Sequence, residues 1–398
     1  MRVSLAFRPT IPADAGIAQA AERLLASSGP ALVLGQRPGA HGLVEPISPG
    51  RHGLFGPRGA AIHPATGALA VADTGHHRMM IWRQRPRADH ATANIQIGQR
   101  DFDTEGRNGK GPVGAATLNV PTGVATDGRA IAVADAWNHR VLIWKEWPTE
   151  SKQPADVVLG QRDFRSSEAN RNGAVSAVTL NWCYGVSFIG DRLAVADTGN
   201  RRVLIWNRLP EENGQPADLV VGQKSFDCRD ENAGQSASAL GMRWPHSIVV
   251  DEGRLLVADA GNNRVMAWDA VPTVPGVRCS FVLGQRNFCE VDHNRGRYLP
   301  DASALNMPYG LCTAGSWLIA ADTANSRLVA WRRTALAMGA PAIGLAAQPD
   351  FATKGDNRWQ PPVRDSLCWP YAVAAAGLSL AVVDSGNNRV ALWELASC

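Results

Sequence analysis

Residues 256–268 read Leu256-Val257-Ala258-Asp259-Ala260-Gly261-Asn262-Asn263-Arg264-Val265-Met266-Ala267-Trp268. An apolar run ends in Asp, a four-residue Gly/Asn turn follows, and a second apolar run opens with Arg and closes with Trp. Two short apolar runs around a turn of this composition predict a β-hairpin. Gly and Asn supply the positive φ that a tight turn requires. The Asp carboxylate is expected to accept bonds from turn amides and to pair with the Arg five residues on.

The same stretch occurs six times without gaps. Its aspartates are Asp73, Asp135, Asp197, Asp259, Asp322 and Asp384, at steps of 62, 62, 62, 63 and 62 residues. Arg78, Arg140, Arg202, Arg264, Arg327 and Arg389 follow in register, as do Trp82, Trp144, Trp206, Trp268, Trp331 and Trp393. A second motif, apolar-Gly-Gln, places Gln36, Gln99, Gln161, Gln223 and Gln285 at the same step, with a decayed copy at Ala346-Ala347-Gln348. A Phe usually follows three residues later. A third motif, Pro-x-Gly, opens each unit: Pro57-Arg58-Gly59, Pro121-Thr122-Gly123, Cys183-Tyr184-Gly185, Pro245-His246-Ser247, Pro308-Tyr309-Gly310 and Pro370-Tyr371-Ala372.

Each unit therefore holds four strands. Strand A follows Pro-x-Gly, strand B ends in Asp, strand C runs from Arg to Trp, and strand D ends in Gly-Gln. Four strands per repeat around a ring make a β-propeller, and the count is six blades. The phase is informative: one Gly-Gln strand precedes the first hairpin and none follows the sixth Trp. Strand Leu32–Gly35 is thus expected to complete the sixth blade and close the ring, removing an exposed sheet edge. Residues 1–29 are expected to form an arm with a short amphipathic helix over 13–27, and residues 30–398 a single all-β propeller.

These motifs resemble the NHL-repeat family of six-bladed propellers. The resemblance rests on the Pro-x-Gly opening, the Val-Ala-Asp-x-Gly-Asn-x-Arg-Val core and the six copies, with Asn138-His139-Arg140 close to the tripeptide that names the family. Units of about 62 residues are longer than the usual NHL repeat, the surplus lying between Gly-Gln and the next Pro-x-Gly. Loops of that length are often functional. The resemblance implies a binding or assembly module for a protein partner or small ligand. It also implies a partner class, since stand-alone NHL proteins are associated with bacterial metalloenzyme operons, those of nickel–iron hydrogenases among them.

Function is sought where the repeats differ. The middle residue of Pro-x-Gly varies most: Arg58, Thr122, Tyr184, His246, Tyr309 and Tyr371. Three of the chain's four tyrosines stand there. Trp182, Trp244 and Trp369 lie two residues earlier. In a propeller these positions ring the channel mouth, where they either line a ligand site or pack as a plug.

Catalysis has less support. The NHL-type amidating lyase holds a metal on histidines at these positions, whereas here His246 is the one histidine, and a zinc site needs three or four ligands. No catalytic residue, metal ligand or cofactor is assigned. The alternative is a lyase- or hydrolase-type enzyme at the channel mouth using Arg58, His246 and the tyrosines. His76, His77 and His139 belong to the hairpin turns and are expected at the surface. The six Asp–Arg pairs are structural, because a catalytic pair occurs once and a brace occurs in every blade.

Charge narrows the partners. The net charge is +4 over 398 residues, and the basic residues after Gly-Gln (Arg37, Arg100, Arg162, Lys224, Arg286) are offset by acidic neighbours in each loop. A phosphate-binding groove needs unopposed positive charge, so nucleic acid is not the expected partner. The seven scattered cysteines fit free thiols in a reducing compartment. With no signal-peptide pattern and no long apolar run, a cytoplasmic protein without a membrane span is expected. Cys183, Cys312 and Cys368 fall near strand A of three blades, and buried inert thiols are the expected reading there.

Overall fold

The computed structural model describes residues 21–35 and 47–396. In it the chain forms six antiparallel sheets arranged as the blades of a propeller, each with A, B, C and D strands in order from the channel outward. In blade 3 these are Cys183–Ile189, Arg192–Asp197, Arg202–Trp206 and Leu219–Val221. The other blades repeat this pattern, and among the described residues the only helical turns are short 3-10 segments.

Strands B and C are buried almost throughout, for example Ile131–Asp135 and Arg140–Trp144 in blade 2. Their near-continuous apolar composition follows, because both faces of each blade are covered by its neighbours. Six hydrophobic clusters result, each shared by two adjacent blades. The repeated Trp lies in these clusters, and in blades 1 to 5 its indole is satisfied: Trp144 Nε1 donates to Gln153 O at 3.1 Å and Trp206 Nε1 to Gln215 O at 3.0 Å, whereas Trp393 Nε1 is buried without a partner.

The ring closes as the repeat phase predicts. Leu32–Gly35 pairs antiparallel with the last strand, Leu32 opposite Leu392 and Gly35 opposite Arg389. Of the helix expected over 13–27, residues 13–20 lie outside the described residues. Glu22 and Arg23 are instead a strand, pairing parallel with Gly344 and Leu345 at the outer edge of blade 5. Leu24, fully buried, follows it, and Leu25 bridges to Leu395. An unpaired sheet edge with a pocket for Leu24 outweighs the helical spacing of this stretch.

The hairpin turn is a three-residue 3-10 segment followed by one residue in the left-handed region: His77, His139, Arg201, Asn263, Ser326 and Asn388, all with φ between 51° and 55°. The repeated Asp does not cap this turn. In blade 3, Asp197 Oδ1 accepts the Asn181 amide, just before strand A, at 2.7 Å, while Oδ2 accepts Arg202 Nε and Asn200 Nδ2, each at 2.8 Å. Arg202 in turn donates to Phe226 O at 2.6 Å, Ser176 O at 2.8 Å and Thr179 O at 2.9 Å. The buried pair therefore joins the hairpin, the long loop before strand A and the Phe carbonyl after Gly-Gln. A buried ion pair persists only when its remaining donors are satisfied in this way.

The long loops are tied down as well. Those before blades 2 to 6 carry an asparagine that hydrogen-bonds the hairpin asparagine, as Asn170 does with Asn200, Asn294 with Asn325, and Asn357 with Asn387. The repeated Gln adds a further tie, Gln161 Nε2 donating to His139 O at 3.1 Å and Glu168 O at 2.9 Å. The surplus length thus contains framework, and only its exposed parts are free to vary.

Candidate functional site

Strand A of each blade lines the channel, and the middle residue of Pro-x-Gly stands at its mouth. Close approach of neighbouring A strands dictates the glycine that follows: a Cβ on Gly185 would lie 1.7 Å from His246 O. With the backbones this tight, the middle side chains of adjacent blades must meet.

Four of them form a continuous stack. Tyr184 and His246 have ring centroids 5.0 Å apart, His246 and Tyr309 4.3 Å, and Tyr309 and Tyr371 4.4 Å. The Arg58 guanidinium lies 4.7 Å over the Tyr371 ring and ends the row. The sixth member is turned away: Thr122 is buried, and its Oγ1 donates to Tyr184 O at 2.9 Å. The structure thus brings Arg58, Tyr184, His246, Tyr309 and Tyr371 together and sets Thr122 in the ring wall, where it steadies the Tyr184 backbone.

The stack divides the axial space. On one side lies a cavity of about 350 Å³ enclosed by the A strands, with Thr126, Ser187 and Thr313 on its wall. On the other lies a cup of about 640 Å³ at the hairpin face, off centre toward blades 3 and 4. Tyr184, His246, Tyr309 and Tyr371 border both spaces. Trp182 and Trp244 line the cup and are 50% and 39% exposed; Trp369, 40% exposed, stands outside it. The stack closes the channel in the manner of a plug, and its outer surface is the floor of an open cup.

Burial keeps these groups protonated or neutral as their chemistry favours least charge. The His246 imidazole is pushed down to about 4, mainly by desolvation with the Arg58 charge adding to the fall, while the hydrogen bond of Nδ1 to Trp244 O, 3.0 Å long, opposes it. Desolvation likewise raises the Tyr309 phenol, with Tyr371 adding to the rise, and raises Tyr371 against the pull of Arg58. A neutral imidazole stacked on the un-ionised Tyr309 phenol supplies aromatic surface and hydrogen-bonding edges.

Cys183, Cys312 and Cys368 are free thiols raised by burial, Cys312 and Cys368 to about 12, so none is a ready thiolate. Among the described residues no three His, Cys, Asp or Glu side chains gather as a metal site requires. No helix among them is long and apolar enough to cross a membrane.

Of the turn histidines expected at the surface, His76 is buried and His77 and His139 are half-buried. His76 is fully buried and holds Asp73 Oδ2 through Nδ1 at 2.8 Å, in the place where the other blades carry Asn. His77 Nδ1 accepts the Val120 amide and His139 Nδ1 the Trp182 amide, both at 3.0 Å. Desolvation lowers both, which keeps each ring neutral and able to accept. This contact belongs to a set. Asn263, Ser326 and Asn388 accept the amides of Met307, Trp369 and Gly56 in the same way, at 2.9, 3.2 and 2.8 Å. The turn residue of one blade thereby clamps the first residue of the next. Sequence reasoning missed the clamp because His, Asn and Ser share only an acceptor atom; their constant place before the repeated Arg was the available signal.

Fold and framework together define a six-bladed β-propeller. Residues 242–266, the opening and hairpin of blade 4, match the NHL repeat, and the other five copies align with that segment in register. No match was found among curated proteins. Among solved structures, a structural genomics protein from Bacteroides thetaiotaomicron is 12% identical, with 88% of this chain and 73% of that one covered and a TM-score of 0.51. Chaetomium thermophilum Raptor is 11% identical over 95% of this chain, with a TM-score of 0.46, and this chain spans 29% of Raptor's length. A chain of a nidogen/laminin complex is 13% identical, covering 73% of this chain and 83% of its own, with a TM-score of 0.40. At 12% identity the likeness to the Bacteroides protein is one of fold alone.

Proposed function

We propose that this propeller is a non-catalytic binding module that offers the mouth face to a protein partner or small ligand. One observation carries the reading. Of the residues that break sixfold symmetry, Tyr184, His246, Tyr309 and Tyr371 form one stacked floor beneath an open cup, with Arg58 ending the row, while the repeated Asp, Asn and Arg are consumed by framework bonds. Aromatic and Arg side chains on a rigid backbone are effective anchors, because little conformational freedom is lost on binding. NHL propellers commonly mediate protein contacts, and a metalloenzyme assembly partner is the class the family resemblance ranks first.

The test is to change Tyr184, Tyr309 and Tyr371 singly to Ala, and to measure melting temperature together with retention of the partner purified from the native cell. Loss of the partner by a variant that still melts near wild type supports the reading. Variants that melt lower yet keep the partner would make the stack a plug and move the binding surface to the outer rim.

A further inference from the structure

The clamp between turn residue and next blade is made at five of the six junctions and broken at one. At the junction of blades 3 and 4 the turn residue is Arg201, which has no acceptor to offer. The backbone shows the consequence. Val120, Trp182, Met307 and Trp369, the clamped residues that are not glycine, all hold positive φ, whereas Trp244 does not. In the other blades the second turn residue donates its amide to the residue two before the Pro position, as Gly199 N does to Asn181 O at 2.8 Å; in blade 4 the first turn residue, Ala260, donates to Trp244 O at 3.0 Å instead. That shifted carbonyl is also the one bonded to His246. The repeat is therefore rebuilt at one place, and the cup opens at that place.

Arg201 and Trp182 of blade 3 and Trp244 of blade 4 all line the cup. The Arg201 guanidinium donates from one Nη to Gly199 O at 2.9 Å, its Nε is buried without a partner, and it has no acidic partner among the described residues. On the rim, Glu231 lies 3.3 Å from Arg243, which itself lies 5.0 Å over the Trp244 ring. Arg229 adds a second cation to the lining, and Asp230 and Glu231 two carboxylates, Glu231 being the one paired with Arg243. A cation with an unused donor, between two exposed indoles, is matched by an anionic group on an apolar body. The planar guanidinium fork matches the two oxygens of a carboxylate.

We propose that the cup is a carboxylate-binding site, with Arg201 holding the carboxylate and Trp182 and Trp244 holding the apolar body attached to it. This rests on the reading of the mouth as the binding face. The carboxylate has two sources: a free aromatic acid, or an acidic side chain next to an aromatic residue in a protein segment.

The experiment uses the full chain and calorimetric titration. Phenylacetate and its neutral amide represent the free source; a capped peptide with a central Glu-Phe and its Gln-Phe counterpart represent the protein source. Wild type is expected to favour at least one acid over its neutral counterpart by about tenfold or more, the scale of a charge-assisted hydrogen bond. Which acid binds identifies the source. Arg201→Asn places at this junction the residue type that clamps Met307 and Gly56 elsewhere. It should lose the acid preference while melting no lower than wild type. If it melts lower, Arg201→Lys decides: acid preference kept there supports the site, and preference lost in both variants overturns it. An acid preference unchanged in Arg201→Asn, or no preference in wild type, also overturns it. If these arms fail while the Tyr→Ala variants lose the partner, the carboxylate site falls and the binding face stands; the opposite pattern places the fault in the face.

Discussion

Leu34→Ala should weaken the whole ring, although Leu34 lies in a strand of only four residues. Its side chain is fully buried among Leu54, Met80, Trp82 and Val390, so the strand that closes blade 6 also fills the core between blades 6 and 1. Removing the isobutyl group there forfeits its transfer energy and leaves a cavity, together about 3–5 kcal/mol. That is a large part of the roughly 5–15 kcal/mol that holds a typical folded protein. The assay is guanidinium denaturation read by tryptophan fluorescence, with Leu378→Ala as control. Leu378 is 60% exposed, and its loss should cost less than about 0.5 kcal/mol. Leu34→Ala should lower the midpoint at an unchanged slope. Deleting residues 1–35 goes further, since it strips the ladder from Arg389–Leu392 and leaves an open edge; this form should aggregate. A Leu34→Ala midpoint equal to that of the control, or a monomeric truncated chain with the wild-type midpoint, would refute the closure argument.

Two other outcomes follow from the buried groups. Asp259→Ala leaves the fully buried Arg264 charge without its partner 2.9 Å away and strands the Arg243 amide, which should cost about 3–5 kcal/mol; a calorimetric melting temperature within a degree of wild type would contradict it. His246 is neutral in the fold down to about 4 but takes a proton near 6.5 when unfolded. The unfolded chain thus binds more protons between those values, and this group's contribution is full above pH 6.5 and lost as pH falls toward 4. By pH 5 the loss should be about 1 kcal/mol after discounting for its partial contact with water, and His246→Gln should show less acid sensitivity than wild type; equal sensitivity in the two proteins would count against an enclosed neutral imidazole.

Much of this molecule is legible from its repeats. The step between aspartates sets the number of blades, and the phase of Gly-Gln against Trp sets how the ring closes, because both depend only on periodicity. The mouth residues are legible too, as variation against a constant frame. What periodicity conceals is chemistry shared by unlike residues. His77, Asn263 and Ser326 perform one task with three side chains, so the clamp does not look like a motif, and its absence at Arg201 does not look like a defect. The loop asparagines Asn108, Asn170, Asn232, Asn294 and Asn357 recur in register but sit in polar stretches where an asparagine draws no notice. The strand at Glu22–Arg23 was hidden for another reason: a two-residue edge pairing has no local signal, and its stability comes from a partner more than three hundred positions away.

The seam of the ring joins an early piece of the chain to a late one. Strand Leu32–Gly35 leaves the ribosome before any blade exists, and its partner Arg389–Leu392 only after five blades have been made. Hairpins can form as they are synthesised, since their contacts are local, but the seam has to wait for a partner more than three hundred positions away, and distant contacts are slow to form. Throughout that interval the growing protein is an open arc with a loose strand at one end. The seam is therefore a point of quality control as well as of architecture: a ribosome that stalls within the sixth blade releases an arc that cannot shut, and its unsatisfied edges mark it for capture by chaperones.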